Sequence, residues 1–238
     1  GNRTFPYCIG HRGASGHRTE NTLASFELAS QLGAEMWELD TQLTRDGVVV
    51  VSHDDHLLRV FGVDKRISQL TAAELAALGI GVPSFAEVAE LARRLSTGLY
   101  VELKAPGSGL KCWSELLTHN QRFACLGSFD TAQVRQLRDA GCDFPLSVLI
   151  RAGHDPHALA DSAGADILHL CWERAGERPQ DLVTPALLQR AFASGREIVL
   201  WHEERPAILA DIMVKPVLGI CTDRPDLMRP EPARARLA

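Results

Sequence analysis

Apolar residues in this chain come in short runs separated by amphipathic stretches, and the alternation continues through most of the sequence. The runs at 7–10, 36–40, 99–103, 125–129, 146–150, 166–170, 197–201 and 218–222 have the length and flanking residues of buried strands. Helical spacing fills most of the gaps, at 22–32, 85–95, 112–120, 132–140, 156–163, 185–194 and 206–213. In 22–32, Leu23, Phe26, Leu28 and Leu32 line roughly one face, with Asn21 at the N-cap position and Gly33 where a C-terminal cap belongs. Eight such strand–helix repeats predict an α/β chain folded as a parallel (β/α)8 barrel, one domain over 1–238. A doubly wound open sheet is the other arrangement of these repeats. Its Gly-x-Gly-x-x-Gly turn is missing after the first strand, where Gly10, Gly13 and Gly16 stand three apart.

One segment breaks the repeat. After Asp40 the chain runs through Thr41 to Gly47 and straight into Val48, Val49, Val50 and Val51, with no room for a helix. Asp46-Gly47 is a turn signal, which predicts a β-hairpin rising from the second strand and returning to it. If Thr44 pairs with Val48, His53 comes back opposite Leu39, within one residue of Glu38 and Asp40.

Composition narrows the class. At 238 residues, 45% hydrophobic and 23% charged, the chain has ordinary globular proportions. A net charge of −5 argues against a nucleic-acid partner bound by broad electrostatic attraction. No run approaches the length of a membrane span, so no stable membrane insertion is expected. Residues 1–10 lack a secretory pattern. The six cysteines are scattered without zinc-ligand spacing and read as reduced thiols; together with the missing leader they suggest a cytoplasmic location. Residues 229–238, rich in Pro, Arg and Ala, are expected to fray.

Chemistry gathers at strand ends. His11-Arg12-Gly13, Glu38-Leu39-Asp40, His53-Asp54 and Glu102-Leu103-Lys104 together bring two imidazoles, carboxylates and two cations. Glu38 and Asp40 are two apart and share a strand face, as do Glu102 and Lys104. Either pair alone suits a structural ion-pair network. Both together, beside His11 and His53, suit a site that holds a divalent cation on acidic oxygens, an anion on Arg12 and Lys104, and moves protons on histidine. That set is equipped to cleave a phosphate ester. The other histidines, His202 among them, have no comparable context and read as surface or core.

These pieces stand in order with Glu20-Asn21-Thr22, Leu43-Thr44-x-Asp46-Gly47, Leu70-Thr71-x-x-Glu74-Leu75, Val82-Pro83-Ser84-Phe85-x-Glu87 and Cys221-Thr222-Asp223-x-Pro225. The ordered set strongly resembles the glycerophosphodiester phosphodiesterase family over nearly the whole chain. The resemblance implies a TIM barrel that uses a divalent metal, Mg2+ or Ca2+, to hydrolyse glycerophosphodiesters to glycerol 3-phosphate and an alcohol. It matches Glu38, Asp40 and Glu102 to metal ligands, His11 and His53 to the acid/base pair, and Arg12 and Lys104 to phosphate contacts. It also suggests the glycerol 2-hydroxyl as nucleophile.

The chain departs from the family's Trp-Thr-Val-Asn pattern, carrying Trp201-His202-Glu203-Glu204. Trp201 offers an aromatic face for glycerol carbons. Glu204 replaces an amide and adds negative charge, which favours a cationic head group, and Trp172 offers a cation–π face or simple packing. Two further readings remain: a lipid-acting phospholipase D- or C-like barrel, and a catalytically silent ligand-binding barrel. Against the longer insertion of many family members, the short stretch from His56 to Val82 implies a small cap over an open site and counts against the first; the presence of both histidines and all three carboxylates counts against the second.

Overall fold

In the computed structural model, which describes residues 6–231, nine strands form one sheet: β1 (Tyr7–His11), β2 (Met36–Leu43), β3 (Val49–Val51), β4 (Gly98–Leu103), β5 (Ala124–Ser128), β6 (Leu146–Arg151), β7 (Ile167–Cys171), β8 (Glu197–His202) and β9 (Gly219–Thr222). All but β3 are parallel, and β1 pairs with both β9 and β2, which closes an eight-stranded barrel. Among the described residues there are ten α-helices: α1 (Leu23–Gln31), α2 (Leu58–Phe61), α3 (Ala72–Ala77), α4 (Phe85–Arg94), α5 (Gly109–Thr118), α6 (Thr131–Asp139), α7 (Pro156–Ala163), α8 (Pro185–Ala193), α9 (Pro206–Ile212) and α10 (Pro225–Met228). Among the described residues no helix is long and apolar enough to cross a membrane.

Strand parity sorts the core into two layers. Ile9, Met36, Tyr100, Cys125, Leu149, Ile167, Val199 and Cys221, one from each barrel strand, fill the lumen. Their neighbours, such as Cys8, Trp37, Leu39, Val101 and Leu168, face outward into the layer covered by the helices. The cap between 56 and 82 has its own small cluster of Leu57, Ile67, Leu70 and Leu75 against Val50 of the hairpin.

Helix ends follow their capping chemistry, with one correction. Thr22, not Asn21, caps α1, its side chain accepting from Ser25 N, while Gly33 follows the Leu32 cap at φ 97°. Asn21 is drawn away to the barrel mouth, where its Nδ2 donates to Asp40. Ser84 and Glu87 close a full capping box on α4. The helix expected at 112–120 begins earlier, at Gly109.

The hairpin has the expected register. Thr41 faces Val51, Leu43 faces Val49, and Thr44 N donates to Val48 O at 3.0 Å. Gly47 takes φ 79° in the turn. Ser52 N then donates to Asp40 O at 2.9 Å, carrying the count towards His53. At the other end of the chain, Arg229, expected to fray, is tied to Pro6 O at 2.9 Å and Glu35 at 2.7 Å. The remainder of that expected tail, 232–238, lies outside the described residues. All six cysteines are free.

Trp37 is fully buried, stacks on Phe26 at 5.1 Å, and donates its indole N–H to Ser30 Oγ at 2.9 Å. Trp37→Ala should cost about 3–5 kcal/mol. Urea unfolding should show this as a lower midpoint at unchanged slope.

Candidate active site

Parallel pairing brings the carboxylates together. Glu38 stands beside His11 across β1–β2, and Asp40 beside Glu102 across β2–β4. With Glu38 and Asp40 on the same strand face, oxygens of all three acids lie within 4.8 Å of one another, and all three residues are buried. They sit at the C-terminal end of the barrel. There a cavity of about 250 Å³ is lined by His11, Arg12, Glu38, His53, Glu102 and Lys104, and by Phe129, Leu149, His169, Cys171, Glu173, Arg174, Trp201, His202 and Cys221.

Three like charges in one dry corner are costly, and the cluster shows how they are managed. Burial, reinforced by Asp40 and Glu102, raises the Glu38 carboxyl well above its ordinary value. Burial and Asp40 push Glu102 up to about 7 against the pull of Lys104. Burial also opposes ionisation of Asp40, but Arg12, Lys104 and His53 outweigh it and hold Asp40 below the usual carboxylate range. One oxygen of each β2 acid is bonded: Glu38 Oε2 by Arg12 N at 3.1 Å, and Asp40 Oδ2 by Asn21 at 3.0 Å. The other oxygens, Glu38 Oε1 and Asp40 Oδ1, are buried without a hydrogen-bond partner. Orphan acidic oxygens grouped this way fit a hard divalent cation.

Two histidine–carboxylate pairs flank this cluster. His11 Nδ1 meets Asp223 Oδ1 at 2.6 Å, and His53 Nδ1 meets Asp54 Oδ1 at 2.7 Å. A carboxylate at Nδ1 fixes the ring and leaves Nε2 to exchange a proton. His11 Nε2 lies 3.8 Å from Glu38 Oε2. The return of His53 is held by Gln42, whose side-chain Nε2 donates to His53 O at 2.9 Å. The cations are held in place by acids: Lys104 Nζ lies 2.7 Å from Glu102, while Arg12 reaches Glu20 at 3.1 Å and Asp40 at 3.4 Å.

The β1–α1 turn that aims Arg12 is conformationally demanding. Arg12, Gly13 and Asn21 all have positive φ, at 56°, 83° and 56°. In return Arg12 O accepts from Asn21 N at 3.0 Å and Ser25 Oγ at 2.9 Å.

Ten residues were candidates from sequence, and eight converge: His11, Arg12, Glu38, His53, Glu102, Lys104 and Trp201 line the cavity, and Asp40 joins the carboxylate cluster. Trp172 does not line it; its ring is buried in the layer between strands and helices. Glu204 turns away, accepting from His202 Nδ1 at 2.9 Å and Asp223 N at 3.1 Å. His202, read from sequence as surface or core, is instead in the cavity, its ring stacked on His11 at 4.4 Å and 2°. A β-bulge between Leu200 and His202 explains this, because it lets the consecutive Trp201 and His202 both face the site. Burial alone would lower the His202 pKa, but Glu204, Asp223 and Glu173 together raise it. Nitrogens and oxygens of His11, His202 and Asp223 also lie within 4.8 Å of one another. Each of the two stacked rings bonds to a carboxylate of its own, His11 to Asp223 and His202 to Glu204. Asp223 and Asp54 were visible as motif neighbours of Thr222 and His53; nothing in the sequence pointed to Phe129, Glu173 or Arg174.

A model of the glycerophosphoryl diester phosphodiesterase family matches residues 11–227. The chain is 26% identical over 238 residues to a glycerophosphodiester phosphodiesterase of Caldanaerobacter subterraneus subsp. tengcongensis, covering 92% of this chain and 95% of that one. The crystal structure of a Thermotoga maritima glycerophosphodiester phosphodiesterase superposes with a TM-score of 0.78 at 25% identity, covering 100% of both chains. A phosphodiesterase of Oleispira antarctica, solved in complex with the product sn-glycerol-3-phosphate, has the same fold, with a TM-score of 0.79 at 21% identity over 97% of each chain.

Gly13 tests the turn. A Cβ there would lie 2.7 Å from the Ser25 carbonyl carbon, on a backbone at φ 83°. Gly13→Ala should lose more than about 1 kcal/mol of stability. Urea unfolding and turnover measured together should show both fall, because Arg12 moves with the turn.

Proposed function

The chain belongs to the glycerophosphoryl diester phosphodiesterase family, and from that premise we propose that it hydrolyses glycerophosphodiesters to glycerol 3-phosphate and an alcohol, using a divalent cation and two histidines. The supporting observation is the placement of two histidine–carboxylate pairs beside one cluster of three buried acids in a single cavity. The product bound to the Oleispira antarctica relative supports glycerol 3-phosphate as the product here.

Glu38, Asp40 and Glu102 would hold the cation, Mg2+ or Ca2+, and the buried oxygens left without hydrogen bonds on Glu38 and Asp40 support this. When bound it supplies positive charge to the phosphoryl oxygens. Arg12 and Lys104, both facing the cavity, add charge from the protein side and orient the phosphate. Of His11 and His53, one accepts the nucleophile's proton at Nε2 while the other donates to the departing alkoxide. Asp223 and Asp54 hold the rings and stabilise the imidazolium form, which the base reaches and the acid leaves in the step. Trp201, locked by its indole hydrogen bond to Glu203 at 3.1 Å, presents a rigid apolar wall to the substrate carbons.

Incubation with glycerophosphocholine, glycerophosphoethanolamine and an intact phospholipid should release glycerol 3-phosphate from the first two. EDTA should stop the release and added Mg2+ or Ca2+ restore it. Turnover of intact lipid alone would favour the lipid-acting reading, and binding without turnover the silent barrel. His11→Ala and His53→Ala should each cost about 10²–10⁴ in kcat. Their thermal midpoints should stay near the parent's; near-parent activity in either would remove that histidine from the mechanism.

A further inference from the structure

Arg59 lies in the cap, on the single-turn helix α2, and is half-exposed. Its guanidinium nonetheless makes three short bonds to two different acids. Nε donates to Asp54 Oδ2 at 2.7 Å, while Nη1 and Nη2 donate as a fork to Glu20 Oε1 at 2.8 Å and Oε2 at 2.9 Å. Each acid already holds a group of the site. The other oxygen of Asp54 meets His53 Nδ1 at 2.7 Å, and Glu20 receives Arg12 Nη1 at 3.1 Å. The chain His53–Asp54–Arg59–Glu20–Arg12 thus crosses from the loop after β3 to the loop after β1.

We infer that Arg59 is a positioning residue of the active site, a single guanidinium that fixes the proton-transferring His53 and the phosphate-orienting Arg12 relative to each other. The inference rests on the roles proposed above for His53 and Arg12. Among the described residues only the Arg59 bond holds the second carboxylate oxygen of Asp54, while the first holds His53. Glu20 needs a counter-charge on the side away from Arg12, and the fork supplies it in one plane. Burial opposes ionisation of both acids, and Arg59 outweighs it only together with Arg12 at Glu20 and with His53 at Asp54. Arg59 does not bear on the core: none of the α2 residues is buried, and the cap is anchored through Leu57. Exposed ion pairs contribute little to stability, so the loss of Arg59 should be felt in turnover and not in folding.

The test compares Arg59→Met, Arg59→Lys and Arg59→Ala with the parent on glycerophosphocholine. With reacting groups displaced by about 1 Å, Arg59→Met should lose about 100-fold in kcat. Its thermal midpoint should match the parent's, and Arg59→Lys should recover part of the loss. Methylguanidinium added to Arg59→Ala should restore turnover in a saturable way, which a purely structural role would not allow. Adding Arg59→Met to Asp54→Asn should cost much less than it costs the parent, because the coupling runs through Asp54. Parent-like turnover in Arg59→Met overturns the inference, as do losses that simply multiply with Asp54→Asn or a loss that tracks a fallen thermal midpoint. An inactive parent overturns the proposed function itself, a result distinct from an active parent indifferent to Arg59.

Discussion

Three carboxylates forced together by strand pairing are the constraint around which the mouth of this barrel is built. Residue 38 is two positions from residue 40 on β2, and 40 is level with 102 on β4, so no side-chain rotation moves the acids far apart. Each neighbour answers that crowding. Lys104 folds back on Glu102, Asn21 leaves its helix cap for Asp40, and Arg12 gives both its backbone N–H and its guanidinium. Of the three positive φ angles of the β1–α1 turn, those at Arg12 and Asn21 are strain accepted to bring those donors in, each costing of order 1–3 kcal/mol, while Gly13 takes its own freely. Even so, two oxygens remain without hydrogen bonds.

Lumen and mouth divide the labour. Below the acids the lumen is closed by apolar side chains and by a neutral polar group, His169, whose Nδ1 lies 2.8 Å from the Tyr100 hydroxyl. Burial, and then the nearby His11 and His202, press the His169 pKa down to about 3. The floor therefore adds no charge, and the charged chemistry is confined to the strand ends, where loops supply its partners.

The sequence was informative where structure is periodic. Inward and outward parity along β2 and β4 placed Glu38, Asp40, Glu102 and Lys104 on one side, and the Asp46-Gly47 turn set the hairpin count. It was less informative where the period breaks or where partners are far apart. His202 was missed because a bulge changes parity within β8, and that bulge has no signature in Leu200-Trp201-His202. Glu204 was read as part of the substrate rim, but it does not line the cavity and bonds to His202 and to Asp223 N. Trp172 follows the last residue of β7 and turns into the helix layer, a direction that composition does not encode. Arg59 lay in a stretch without periodicity, and its two acidic partners stand 5 and 39 residues away.

The hairpin acts as a ruler. Antiparallel pairing fixes a sum of positions, so the ladder returns the chain to Asp40 just before His53 as long as its two arms stay matched residue for residue. A matched lengthening of both arms would raise the tip and leave the imidazole where it is. A single unmatched residue in either arm would slip the frame by one and turn that imidazole to the other face. The segment is thus tolerant of growth and intolerant of miscounting, a rule that sequence comparison at individual positions would not reveal.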